Sequence, residues 1–277
     1  MAKPDGVDAL RNWSTPLLLV GCGNMAGQML ARWLACGLDP AHVTVVRPSG
    51  RDVAPGVKVV TAAPETIADD TLILLGMKPY QLADVARDLS PLTGAGTTIV
   101  SILAGMPLAD LRGHLPTAGA IVRAMPNLPV GIGQGVTALH GETARVDAMA
   151  QVQALMAPLG LVELIEDEAL FNEVTALSGC GPAFLFRFID ALARAGAALG
   201  LPEAQAQRMA LATVAGAADF ARVGIDSPAI LAERVASPGG MTREGLNMLD
   251  ADDRLERLMI DTLQAARDRG LAMARGE

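Results

Sequence analysis

Short uninterrupted apolar runs recur through the first part of the chain, separated by stretches in which apolar residues return every three or four positions. The runs 17–20, 42–46, 57–60, 71–77, 97–102, 120–125 and 136–139 read as strands. Leu72-Ile73-Leu74-Leu75 shows no polar alternation, as in a central parallel strand covered on both faces. Met29, Leu30, Trp33 and Leu34 keep helical spacing, and 146–159 reads as a closing helix. Strands and helices alternating in this way predict an α/β architecture with a doubly wound sheet. From about Glu166 the strand signals stop. Helices are expected over 167–177, 183–199 and 203–222, with Ser178-Gly179-Cys180-Gly181-Pro182 breaking the first from the second. Ser227-Pro228 opens a further helix, with serine as cap and proline just inside. The chain thus divides into residues 1–165 and an all-helical 166–277.

The first run enters Gly21-Cys22-Gly23-Asn24-Met25-Ala26, a Gly-x-Gly-x-x-Ala turn between strand and helix. Such a turn opens a dinucleotide-binding unit of Rossmann type. Gly21 makes the tight turn, Gly23 admits a pyrophosphate close to the backbone, and small Ala26 lets helix and strand pack. The unpaired N–H groups of the helix N-terminus suit the anion. A tight turn without a ligand carries the same glycines; its place after a strand and before a helix is what favours the nucleotide.

The strand at 42–46 leads into Arg47-Pro48-Ser49-Gly50-Arg51. NAD-selective folds place a carboxylate near this point to hold the ribose 2′-hydroxyl. Arg47, with Ser49 and Arg51, suits the 2′-phosphate of NADP instead, or else is a solvated loop arginine. At the carboxyl edge of the strand ending in Met77, Lys78 precedes Pro79; it suits a phosphate or ribose, or snorkels at a strand end. Ala104 lies at the same edge. Two prolines flank Asn127-Leu128, so the Asn127 amide is either held toward a nicotinamide or used only to close its loop.

In the helical half, Ser237-Pro238-Gly239-Gly240-Met241-Thr242 ends one helix and begins another near Thr242. Glycines permit unusual backbone angles, and a helix start with two nearby hydroxyls suits a substrate carboxylate; a plain turn between helices is the alternative. The stretch 183–199 is charged only at Arg187, Asp190 and Arg194, which can pair at helical spacing. So apolar a helix in a segment of about one small domain needs cover from a second subunit, which predicts a homodimer.

The chain of 277 residues is 51% hydrophobic but only 3% aromatic, so alanine, leucine and valine must do the packing. A net charge of −8 without basic runs argues against nucleic acid or an anionic membrane as the main partner. No run reaches the roughly 18 uninterrupted apolar residues of a membrane span. With Asp5 and Asp8 ahead of the first strand, no secretory signal is expected. Cys22, Cys36 and Cys180 are widely spaced and odd in number, which points to a reducing cytoplasm, with neither a disulfide framework nor a metal site.

From Leu18 to about Leu263 the chain resembles pyrroline-5-carboxylate reductase, the last enzyme of proline biosynthesis. The resemblance rests on Gly21 to Ala26, Lys78-Pro79, Met125-Pro126-Asn127, the run from Asp167-Glu168 through Val174-Thr175 to Ala183, and above all Ser237-Pro238-Gly239-Gly240 with Thr242. It implies a Rossmann domain followed by a helical domain that intertwines with its partner's, and larger rings built from dimers. It implies NADPH as hydride donor, with NADH as an alternative, held by Gly21 to Ala26, Arg47, Ser49, Met77, Lys78, Pro79, Ala104 and Asn127. Ser237, Gly239, Gly240, Thr242 and Thr175 would hold the pyrroline carboxylate, with Thr242 hydrogen-bonding the ring nitrogen. This chain departs from the family at Leu128, where threonine is usual, Cys180 (serine), Phe184 (tyrosine), Ala63 (asparagine) and Met241 (a small residue).

The chemistry agrees with what the second half lacks. No lysine follows Lys78 and no histidine follows His140, so neither residue that commonly polarises a carbonyl is present there. A protonated imine needs less help. β-Hydroxyacid dehydrogenases share this plan but use a lysine in the helical domain. A non-catalytic NADPH-binding regulator would not need Ser237, Thr242 and Asn127. Reduction of another cyclic imine acid is the alternative, raised by Leu128 and Cys180.

Overall fold

The computed structural model describes residues 8–142 and 146–274, which fall into two compact units: Cys180–Ala266, and residues 8–179 together with 267–274. In the larger unit the elements are β1 (Leu17–Val20), α1 (Asn24–Ala35), β2 (Val43–Val46), β3 (Lys58–Val60), β4 (Leu72–Leu75) and α2 (Leu82–Leu89). They continue with β5 (Thr98–Ser101), α3 (Leu108–His114), β6 (Ala120–Pro126), β7 (Gly135–Gly141), α4 (Val146–Met156), β8 (Gly160–Leu164) and α5 (Phe171–Val174). The strands form one sheet in the order β3-β2-β1-β4-β5-β6-β7-β8. All pairings are parallel except that between β6 and β7.

The period-two geometry of the strands explains why the runs carry no polar alternation. Leu17, Leu19, Leu72 and Leu74 join one core with Met29, Leu30 and Trp33 of α1 and Leu155 of α4. Leu18, Val20, Ile73 and Leu75 point the other way, into a second core with Leu82 and Leu89 of α2 and Leu111 of α3. Both faces of β1 and β4 are therefore dry. Trp33 is fully buried and its indole N–H donates to the Leu155 carbonyl at 2.8 Å, tying α1 to α4.

Strand ends are shorter than their apolar runs, because Pro40–His42 forms a 3₁₀ turn before β2 and Gly76 and Met77 already belong to the loop after β4. The sequence reading missed β8. It is an edge strand with Leu161 and Leu164 half exposed, so burial left little pattern to read. Its glycine is structural: Gly160 has φ +138°, and a Cβ there would lie 2.1 Å from the Gly135 carbonyl oxygen.

The break expected at 178–182 narrows to Cys180: a π-turn, Thr175–Gly179, continues from α5, and the next helix begins at Gly181. The wider π-turn is supported by side chains bonding back to the preceding carbonyls. The Thr175 hydroxyl donates to Phe171 O at 2.7 Å and the Ser178 hydroxyl to Val174 O at 2.9 Å.

The smaller unit contains α6 (Gly181–Ala198), α7 (Glu203–Val223), α8 (Pro228–Val235), α9 (Met241–Asp250) and the first part of α10 (Arg254–Ala274). Pro182 stands in the first turn of α6, and the Ser227 hydroxyl caps α8 by accepting from Ile230 N–H. Asp190 and Arg194 pair at 3.0 Å, exposed and so of small energetic weight. Among the described residues, the only buried hydrophobic side chains of this unit are Ala193, Ala206, Ala210 and Ala236. Leu185, Phe186, Phe188, Leu192 and Phe220 all face outward. The helical stretch Glu168–Ala198 is long and apolar enough to cross a membrane by length and composition, although Glu173, Arg187, Asp190 and Arg194 interrupt it.

Trp33→Ala removes the largest fully buried side chain and its bond to α4. Urea unfolding should show a loss of about 3–5 kcal/mol.

Candidate active site

The carboxyl ends of β1 and β4, neighbours where the sheet order reverses direction, place their loops side by side. Gly21 leaves β1 with φ +83°, and a Cβ on it would lie 2.8 Å from Met77 N. Only glycine lets the two backbones approach so closely. Gly23 precedes α1 and caps it with no side chain; a Cβ there would meet nothing within 4 Å, so this side of the turn is open. No acidic residue occupies the first turn of α1, and its N–H groups offer an unopposed place for an anion. Ala26 is buried against the β4 end, where a Cβ on Gly76 would stand 3.0 Å from its own. Asn24 is exposed and Met25 half-buried beside the turn.

Arg47 reaches the same place from the end of β2. Burial pushes the Cys22 thiol pKa up, and the nearby Arg47 guanidinium opposes that shift, so positive charge is felt at the turn itself. The loop carrying Arg47 is fixed by its own N–H, which donates to Val60 O at 2.8 Å, and by Gly50, which donates to Arg47 O at 2.9 Å with φ +61°. Ser49 and Arg51 are exposed on this loop. Met77, Lys78 and Pro79 follow β4 beside Gly21, with Lys78 exposed and its backbone N–H donating to Gln81 Oε1 at 3.0 Å. Ala104 is exposed on the loop between β5 and α3. These residues fit a dinucleotide phosphate and a 2′-phosphate: an uncapped helix start, an open backbone at Gly23, and arginine where a carboxylate would repel.

Asn127 sits otherwise than a free amide aimed at a nicotinamide. It is buried, its Oδ1 accepts from Val136 N–H at 2.8 Å, and its Nδ2 donates to Ser178 O at 3.0 Å. The amide closes its own loop and also braces the π-turn. Thr175, in that turn, is half-buried with its hydroxyl turned to Phe171 O.

Sequence reasoning overlooked Arg123. It lies in β6, buried along its length, and donates to Glu168 Oε1 at 2.6 Å with its guanidinium 4.1 Å from the centre of the Phe171 ring. The signal was available as the single charge in an otherwise apolar strand. Arg123 and Glu168 line a cavity of about 310 Å³ together with Gly105, Pro107, Phe171 and Asn172.

In the helical unit, Ser237 to Gly240 form an exposed turn in which Gly240 N–H donates to Ser237 O at 3.0 Å and Gly239 has φ +69°. Gly240 caps α9, which starts at Met241, one residue before the expected Thr242. The Ser237 hydroxyl folds over this point: a Cβ on Gly240 would lie 2.5 Å from it. Arg243 binds Glu233 of α8 through both carboxylate oxygens, at 3.3 and 2.5 Å, and these bonds hold the Glu233 carboxyl below its usual pKa. The pair fastens α9 to α8 across the turn. Thr242 is exposed in the first turn of α9, on the same terminus as the Gly240 cap.

Residues 168–273 match the family model described as pyrroline-5-carboxylate reductase dimerisation, and residues 17–105 match that described as NADP oxidoreductase coenzyme F420-dependent. The chain is 35% identical to a pyrroline-5-carboxylate reductase of Pseudomonas aeruginosa, over 94% of this chain and 98% of the relative. It is 36% identical to the Synechocystis enzyme of that name, over 86% and 90%. The solved pyrroline-5-carboxylate reductase of Coxiella burnetii superposes with a TM-score of 0.83 at 28% identity, covering 93% of this chain and 98% of that one. With similarity of this level running through both the nucleotide turn and the helical half, the chain belongs to the pyrroline-5-carboxylate reductase family.

Proposed function

We propose that this chain reduces 1-pyrroline-5-carboxylate to L-proline with NADPH, as a homodimer in the cytoplasm. The observation that carries this reading is the pairing, within one member of the family, of an arginine-flanked dinucleotide turn at Gly21 with a hydroxyl-lined helix start at Ser237 to Thr242. NADPH, when bound, supplies the hydride. The uncapped N-terminus of α1 and Gly23 hold its pyrophosphate, Arg47 with Ser49 its 2′-phosphate, and Met77, Lys78, Pro79 and Ala104 border it at the sheet edge. Asn127 serves the site by fixing the loop after β6. Residues 1–165 are assigned to the cofactor and 166–277 to substrate and dimerisation, with the stretches 166–179 and 267–274 belonging to the sheet unit by their packing.

The Ser237 hydroxyl and the amides at Gly240 and the start of α9 hold the substrate carboxylate. Thr242 orients the ring nitrogen and supports its protonation. A protonated imine is already electrophilic, so positioning and exclusion of water account for most of the acceleration; effects of this kind reach roughly 7–11 kcal/mol. The absence of lysine and histidine from the second half is consistent with that division of labour.

The helical unit buries no hydrophobic side chain larger than alanine, which supports a second copy of the chain as the cover for Phe186, Phe188 and Phe220. Charges at Arg187, Asp190 and Arg194 favour that cover over lipid, and further association of dimers into rings follows the family pattern. Free Cys22, Cys36 and Cys180 agree with a reducing compartment.

Purified protein given pyrroline-5-carboxylate should oxidise NADPH faster than NADH, and faster than with the six-membered homologue; absence of turnover on the five-membered ring would overturn the assignment. Thr242→Ala should lower kcat about 10²-fold or more with little change in NADPH affinity. Arg47→Asp should raise the KM for NADPH by at least about tenfold while leaving that for NADH nearly unchanged. Thermal unfolding should move to lower temperature as the protein is diluted, since cover by a partner is lost by mass action.

A further inference from the structure

We infer that Glu168 is a positioning residue for the dinucleotide site, holding the loop that carries Ala104. This rests on the cofactor assignment above. Arginine in the middle of a buried strand is costly unless paired, and Arg123 is 7% exposed. Its partner Glu168 spends one oxygen twice: Oε1 accepts from Arg123 Nη1 at 2.6 Å and from the backbone N–H of Leu108 at 2.7 Å. Leu108 is the first residue of α3, and the loop of residues 102–107 runs directly into it.

The other end of that loop is anchored to the sheet. Ile102 N–H donates to Leu75 O at 3.1 Å and Leu103 N–H to Ser101 Oγ at 3.3 Å. Between the anchors lie Ala104 and Gly105, the latter with φ +72°. The Glu168 carboxylate is thus the tether that sets where the second half of the loop stands, and Arg123, stacked on Phe171, fixes the carboxylate. Apolar residues in place of a buried ion pair are often as stabilising, and Glu168 is itself partly exposed, so stability alone gives little reason for charges here. A loop held at both ends at the carboxyl edge of the sheet gives one, since that edge is where the cofactor lies.

The two roles of Glu168 can be separated in the full-length protein by measuring NADPH affinity calorimetrically alongside the melting temperature. Leu108→Pro keeps the ion pair but removes the N–H that Glu168 accepts, at a first helical position where proline is tolerated. Its Kd for NADPH should rise about five- to tenfold relative to Leu108→Ala, which loses the same packing against the core but keeps the N–H. Glu168→Gln keeps an acceptor for both Leu108 N–H and Arg123 but removes the charge, so it should melt earlier, with the Kd for NADPH raised less than in Leu108→Pro. The double variant Arg123→Met with Glu168→Met should recover stability and retain the weakened binding. Wild-type affinity in both Leu108→Pro and the double variant would overturn the inference. Wild-type protein that binds NADPH but fails to reduce the imine acid would overturn the functional reading and leave this one standing; failure to bind NADPH would sink both.

Discussion

The approach of two backbones, at Gly21 and Met77, is the constraint on which the nucleotide end of the molecule depends. With a Cβ excluded at Gly21, β1 and β4 deliver their loops to one point, and α1 starts with its free N–H groups beside them. Gly76 and Ala26 repeat the demand one layer away, where helix and strand tolerate only small residues. Everything assigned to the cofactor, from Arg47 on one side to Ala104 on the other, is arranged around this crowded junction. A methyl group at Gly21 would separate the strands or unwind the turn, and the residues downstream would lose their common reference.

Much of this was legible because central parallel strands leave a blunt signal. Leu72-Ile73-Leu74-Leu75 is dry on both faces, and no helix period fits it. The glycine turn was legible from its place between strand and helix. What escaped reading was fixed by partners distant in sequence. β8 is half exposed and defined by its pairing with β7 rather than by its own pattern. Residues 178–182 read as a break because glycine and serine cluster there, yet hydroxyls bonding back to carbonyls carry the winding through Gly179 as a π-turn. Asn127 was recognisable as a fixed amide, but its partners, Val136 and Ser178, are 9 and 51 residues away. The Arg123 pairing spans 45 residues, and only the oddity of a charge in an apolar run announced it.

The two halves solve the packing problem differently. In the sheet unit a 3% aromatic chain fills its interior with leucine, valine and one large indole at Trp33. In the helical unit, α6 and α7 approach through alanines and turn their phenylalanines outward. Low aromatic content is thus compatible with a dense interior in one half, while the other spends its large side chains on its surface.

That outward-facing half has a genetic consequence. In the proposed homodimer the large apolar groups of one chain would complete the fold of another, and damage would not be confined to the chain that carries it. In that assembly, a subunit with a charge introduced at Phe188 that paired with intact copies would spoil part of their interior, and a mixed population would lose more activity than the fraction of altered chains. The alanines between α6 and α7 answer to one chain alone, and a change there would behave as recessive.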